Sequence, residues 1–234
     1  MIRRYLLASI ASLALAGVGS LSLMGAPAPQ KAAKSANSAS KGSAAPAQAS
    51  ITVDGVKDID PDKAFGSKNA PVVMEVFTDF QCPACKQLYT TTLQRVTDNY
   101  ADSGKIYIVH RDFPLPMHAY SRVAASYARA ACHIGKCETV ESALFQNQEK
   151  WEVSGDVKGT VASVLTPAEM KKVQALVDSG SLEPLIDHDK QIGQAIPITQ
   201  TPTSVLRTKD GQTYPVVGFV SYDVLKTLLD QLVK

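Results

Sequence analysis

Between residues 71 and 100 the chain passes through a strand-forming run, a close pair of cysteines and a helix-forming run. That order restricts the fold more than any other feature. Residues 71–80 (PVVMEVFTDF) are β-branched and apolar and predict a buried central strand. Gln81 and Cys82-Pro83-Ala84-Cys85 follow, and residues 86–100 then turn helical. Their apolar residues Leu88, Leu93, Val96 and Tyr100 recur at mixed three-, four- and five-residue spacings. Ser103-Gly104 ends that helix, and residues 105–113 (KIYIVHRDF) alternate as a second strand. Strand, helix, strand is a crossover unit with parallel strands and right-handed connection.

The remaining order is helical, then β again. Residues 117–196 read as helical for most of their length, in stretches over 117–132, 138–151 and 182–196. A capping box with a first-turn proline stands at Thr166-Pro167-Ala168-Glu169. Residues 204–208 and 212–217 predict a hairpin turning at Asp210-Gly211. Residues 221–234 predict an amphipathic helix with Val224, Leu225, Leu228, Leu229 and Leu232 on one stripe.

The dithiol is where the chemistry is expected. Cysteines three apart span one helical turn, so their sulfurs can bridge without moving the backbone. A helix N-terminus offers unsatisfied N–H groups and partial positive charge, which favour a thiolate there. Pro83 suits the first turn, where its missing donor would be unused. Position assigns the roles. Cys82 is expected to be the exposed, attacking sulfur and Cys85 the sheltered one that resolves a mixed disulfide. Cys-X-X-Cys alone also fits a zinc site or a structural disulfide; the strand-to-helix setting favours redox chemistry.

The N-terminus points to an oxidising compartment. Arg3 and Arg4 precede an uncharged, mostly apolar run from Tyr5 to Ala26, which reads as a signal peptide over 1–26, or as an uncleaved anchor. Residues 27–50 are Ala, Ser, Pro, Lys, Gln and Gly almost throughout and are expected to form a disordered linker. The folded domain is expected over 51–234. It holds 19 basic against 22 acidic residues, too acidic a balance for a nucleic-acid binder.

In such a compartment Cys132 and Cys137, bracketing His133-Ile134-Gly135-Lys136, read as a structural disulfide between two helices. An electron relay to Cys82 and Cys85, or a four-cysteine zinc centre, are the alternatives, and no metal is expected. His118 could approach the dithiol or cap the surface. His110 reads as packed, His188 in Asp187-His188-Asp189 as solvated, and Trp151 as core. No nucleophile elbow and no phosphate-binding glycine loop is present.

Phe77-Thr78-Asp79-Phe80-Gln81-Cys82-Pro83-Ala84-Cys85, Arg111-Asp112-Phe113-Pro114-Leu115 with His118, and Gln200-Thr201-Pro202-Thr203 together resemble the DsbA-like thioredoxin-fold proteins. The resemblance covers essentially all of 65–234. It implies an α/β thioredoxin fold, a central mixed sheet flanked by helices, with an all-helical insertion at about 117–196. It implies a cis Thr201–Pro202 peptide beside the dithiol, with Pro83, Ala84, Thr201 and Pro202 supporting the site. It also implies an exported, periplasmic or extracytoplasmic thiol:disulfide oxidoreductase, monomeric and without a cofactor. Its partners would be folding proteins with free cysteines and a quinone-linked membrane protein (DsbB-like or VKOR-like). An isomerase or reductase of the same fold and a non-catalytic binding module are the rival readings.

Two departures from that family stand out. The buried glutamate many members carry in the strand before the dithiol is replaced by Val76, and Glu75 should point to the opposite face. The loop histidine of strongly oxidising members is replaced by Ala84, which cannot hydrogen-bond a thiolate. A less depressed Cys82 and a less oxidising disulfide than in those members are therefore expected.

Overall fold

A computed structural model describes residues 51–53 and 55–234. The expected signal peptide or anchor and the linker lie outside the described residues. Strand β1 (Ile51–Val53) pairs antiparallel with β2 (Val56–Ile59) as a separate two-stranded ribbon. A short 3₁₀ turn (Pro61–Lys63) leads into the main sheet, which contains β3 (Ala64–Gly66), β4 (Val72–Thr78), β5 (Ile106–Asp112), β6 (Thr203–Thr208) and β7 (Thr213–Val217). The strand order is β3-β5-β4-β6-β7. Only β4 and β5 are parallel to each other, and the other pairs are antiparallel. The sheet is mixed, as the family resemblance implied.

Strand alternation divides the core. Val72, Met74 and Val76 face a large cluster with Cys85, Leu88, Leu93, Ile106, Ile108 and Leu206. On the other face, Val73 packs with Val56, Ile59, Tyr107 and Val109, and Phe77 packs with Phe113, Ile198 and Val205. β7 is an edge strand carrying Pro215, a position where a missing N–H is tolerated.

The helix after the dithiol is not regular. It runs as α1 (Pro83–Leu88), a π turn (Tyr89–Leu93), α2 (Gln94–Val96) and a second π turn (Thr97–Ala101). The sequence signal for this was the five-residue step from Leu88 to Leu93. A wide turn keeps both leucines, and then Val96 and Tyr100, on the buried side, where a strict 3.6-residue period would drift off it. Thr90 and Thr91 also donate their hydroxyls to the carbonyls of Lys86 and Gln87, competing with the regular ladder.

The insertion comprises α3 (Ser121–His133), α4 (Cys137–Gln146), α5 (Gln148–Ser154), α6 (Val157–Ala162), α7 (Pro167–Asp178) and α8 (Glu183–Ala195). The single stretch expected over 138–151 is two helices broken at Asn147. The Thr166/Glu169 capping box forms in full. Trp151 is buried, its Nε1 donating to the Leu144 carbonyl at 2.7 Å. Helix α9 (Tyr222–Leu232) closes the chain over the dithiol-side core through Leu225 and Leu229. Among the described residues no helix is long and apolar enough to cross a membrane.

Buried ion pairs bind the insertion to the sheet. Arg111 meets Glu75 at 3.1 Å and Asp189 at 3.0 Å, while Arg129 meets Asp112 at 2.8 Å and also pairs with Asp189. Lys63 reaches Asp112 at 2.5 Å and Glu141 at 3.6 Å, and His110 reaches Glu141 at 2.8 Å. Truncating one member would leave a partner charge buried and uncompensated, at a cost of about 3–5 kcal/mol. The 187–189 run is therefore only partly solvated. His188 is half-exposed, 3.3 Å from Asp58, but Asp189 is buried in this network. Glu75 sits on the face away from Cys85, as alternation predicted.

Candidate active site

Strand β4 delivers the chain to the dithiol, and Asp79 organises the turn that follows. Its Oδ1 accepts from Gln81 N at 2.7 Å, and its Oδ2 accepts from Leu115 N at 2.7 Å. His118 Nδ1 lies 2.8 Å from the same Oδ2. The Asp79 carbonyl accepts from Cys82 N at 3.1 Å, and its own N–H donates to Cys85 Sγ at 3.5 Å. Asp79 was not singled out in the sequence. Its signal was there, an aspartate three residues before a helix N-terminus, a common turn-former. His118 thus reaches the site indirectly, through this carboxylate.

Cys82 is the N-cap of α1, with extended backbone (φ −76°, ψ 120°), and Pro83 occupies the first turn. The Cys82 carbonyl accepts from the N–H groups of Cys85 at 3.0 Å and Lys86 at 3.1 Å. Both cysteines are free thiols. The expectation that Cys82 is exposed needs correcting. It is only 7% accessible, sheltered by Thr201, while Cys85 is 0% accessible. Cys82 keeps the solvent contact and Cys85 has none, so the asymmetry between them stands.

The Thr201–Pro202 peptide is cis. Cys82 Sγ donates to the Thr201 carbonyl at 3.3 Å, across 119 residues of sequence. Gly218 N donates to the Pro202 carbonyl at 2.8 Å, and Thr203 Oγ1 to the Gln200 carbonyl at 2.8 Å, fastening that loop to the end of β7. The Thr201 hydroxyl is buried and has no partner. It can turn to donate to Cys82 once that sulfur has lost its proton.

These surroundings split the two thiols. Cys82 is lowered to about 6, chiefly by a hydrogen bond from the Cys85 thiol; Thr201 and the backbone N–H groups of Cys85 and Ala84 add to this, while burial opposes it. Cys85 is pushed well up, first by burial and then by its bond and charge relation to Cys82. At neutral pH one sulfur is a thiolate and the other a thiol. A cysteine pair divided in this way can exchange disulfides.

Cys132 and Cys137 are joined by a disulfide between the end of α3 and the start of α4. Gly135, at φ +74°, makes the turn. Among the described residues the one cluster of possible metal ligands is Cys132, Cys137 and Glu141, so the four cysteines are not gathered into a single centre.

A mixed five-stranded sheet, a dithiol at the start of the helix after its central strand and a cis-proline loop against it define a thioredoxin-fold dithiol protein. The thioredoxin family model matches residues 59–214, and the chain belongs to that family. It is 22% identical over 197 residues to disulfide bond formation protein D of Bacillus subtilis, covering 80% of this chain and 84% of the relative. It is 24% identical over 160 residues to a Rickettsia bellii protein described as a protein-disulfide oxidoreductase, spanning 66% of this chain and 60% of that relative. The crystal structure of alpha-DsbA1 from Wolbachia pipientis superposes with a TM-score of 0.61 at 20% identity, over 73% of this chain and 90% of the other.

Proposed function

We propose that this chain is an exported thiol:disulfide oxidoreductase that introduces disulfides into folding proteins through Cys82 and Cys85. The observation that carries the reading is the split dithiol. Cys82 is ionised near neutral pH, Cys85 is held as a thiol, and the Thr201–Pro202 loop lies in contact with the reactive sulfur. The names of its relatives agree with it.

In the oxidised protein, a substrate thiolate attacks Cys82 Sγ. The Cys82–Cys85 bond breaks, and its electron pair goes to Cys85 Sγ, which takes up a proton. A second substrate thiolate then attacks the substrate sulfur of the mixed disulfide and expels the Cys82 thiolate. The substrate loses two electrons and two protons; the protein gains the two electrons and one proton, on Cys85, and the other proton goes to solvent while Cys82 remains a thiolate. A stable Cys82 thiolate is a good leaving group and favours the reduced protein, which makes the disulfide an oxidant. A quinone-linked membrane protein of the DsbB-like or VKOR-like kind takes the two electrons back.

Pro83 and Ala84 hold the first turn, and Thr201 and Pro202 offer backbone for an extended substrate chain to lie beside. Val217 and Phe219, exposed on either side of Gly218, supply apolar contact next to that loop. Residues 1–26 export or anchor the protein, 27–50 link it, and 51–234 work as a monomer. Cys132–Cys137 staples α3 to α4.

The test mixes stoichiometric oxidised protein with a reduced two-cysteine peptide. Near-complete peptide oxidation, absent in Cys82→Ser, is expected. An equilibrium lying on the side of the reduced peptide would assign the protein to reduction or isomerisation instead, and equal turnover in Cys82→Ser would leave a binding module.

A further inference from the structure

The turn that carries Cys82 is held from two sides. Asp79 takes its N–H groups, those of Gln81 and Cys82. Its carbonyls are taken by a side chain from the helical insertion. Gln148, the first residue of α5 and 2% exposed, donates through Nε2 to the Phe80 carbonyl at 2.6 Å and to the Cys82 carbonyl at 3.1 Å. Neighbouring contacts fix the same junction. Phe145 stacks on Phe80 with ring centroids 4.8 Å apart, and Glu149 pairs with Lys86 of α1 at 2.7 Å on the exposed side.

We propose that Gln148 is a positioning residue for disulfide exchange: through it the helical insertion holds the Phe80 and Cys82 carbonyls, and so keeps the Cys82 sulfur seated against the N-terminus of α1. The proposal rests on the reading of Cys82 as the sulfur that forms the mixed disulfide. The physical reason is charge. Both carbonyls carry partial negative charge close to a sulfur that must become an anion, and a buried amide donor offsets it. Without the donor the Phe80 carbonyl loses its bond, the Cys82 carbonyl keeps only those from Cys85 and Lys86, and the turn can relax. The N–H groups of Ala84 and Cys85 then lose their alignment on the sulfur.

The test uses the full chain and three readouts: the thiolate absorbance of Cys82 against pH, the dithiol–disulfide equilibrium with glutathione, and peptide oxidation. Gln148→Met keeps length and apolar packing. Its Cys82 titration is expected to move up by about half a pH unit, and the glutathione equilibrium to move about threefold toward the disulfide. Gln148→Glu puts a carboxylate against two carbonyls and should move both further at neutral pH. Part of the change should return in acid, where the protonated carboxyl donates one bond. Val153→Ala, on the exposed side of the same helix, should match wild type.

A Gln148→Met protein with lowered stability but unchanged titration and equilibrium would reduce Gln148 to a packing residue and overturn the proposal. If Gln148→Met does not fold, Gln148→Glu, of matching shape, decides by the same two measurements. Failure of the wild type to oxidise the peptide would strike the function proposed above and leave the titration result standing, so the two failures are separable.

Discussion

The chain carries two cysteine pairs that differ by two residues in spacing and by everything in setting. Cys82 and Cys85 sit on one turn at the start of a helix, as free thiols, with Thr201, Asp79 and Gln148 arranged around them. Cys132 and Cys137 join the end of one helix to the start of the next and are bonded. In the first pair the surroundings favour a sulfur anion. In the second they supply a turn at Gly135 and a packed helix junction, with no hydrogen-bonded dithiol. Spacing alone makes a disulfide possible; the groups that meet the sulfurs decide whether it is a tool or a staple.

That contrast breaks if either pair behaves like the other. The largest effect is expected at the first pair. Cys82→Ser should reduce peptide oxidation by at least ~10³-fold, since the sulfur that forms the mixed disulfide has no substitute. Residual turnover supported by Cys132 and Cys137 would erase the distinction. Removing the second pair, as Cys132→Ser with Cys137→Ser, should lower stability by about 2 kcal/mol, some 30-fold in the folding equilibrium, because the closed loop is small. Peptide oxidation should stay close to wild type. Denaturant melts and the oxidation assay read the two arms.

The pH response sharpens the contrast further. With Cys82 lowered to about 6, its alkylation rate should rise about tenfold between pH 5 and pH 7 and then level off, while Cys85 stays silent over that range. Cys82 titrates lower in the folded dithiol than in the unfolded chain. The reduced protein therefore gains stability as pH rises through about 6 toward the unfolded thiol range, and loses it as pH falls. The Cys132–Cys137 disulfide contributes no such dependence. A flat difference between reduced and oxidised melts across this range would refute the ionised thiol.

The smallest effect is at Ala84. Ala84→His offers a hydrogen bond, and when charged a positive group, to the Cys82 thiolate. It should lower the titration by about half a unit and make the disulfide about threefold more oxidising toward glutathione. An unchanged equilibrium would mean that position 84 does not tune this site.

Much of this site was readable because it is local. A strand, a proline in the first helical turn and cysteines one turn apart are neighbours in sequence, so period and position place them. The helix after Cys85 shows the limit. Its five-residue step from Leu88 to Leu93 was visible, yet its meaning, a π turn, depends on the sheet that both leucines must face. Asp189 shows the same limit. In sequence it belongs to a charged run, and only its meeting with Arg111 and Arg129 makes it a core residue. The β1–β2 ribbon passed unrecognised because strands this short carry little periodic signal.

By itself, then, the sequence determined the crossover unit, the helical block, the terminal hairpin and helix, and the placing of one cysteine pair at a helix start, because each depends on residues a few positions apart. Tertiary structure alone decided what that pair becomes. Thr201 arrives from 119 residues away, and Gln148 from the inserted helices. Sulfur ionisation depends on which donors and carbonyls lie within hydrogen-bond reach, and that proximity is a property of the folded chain.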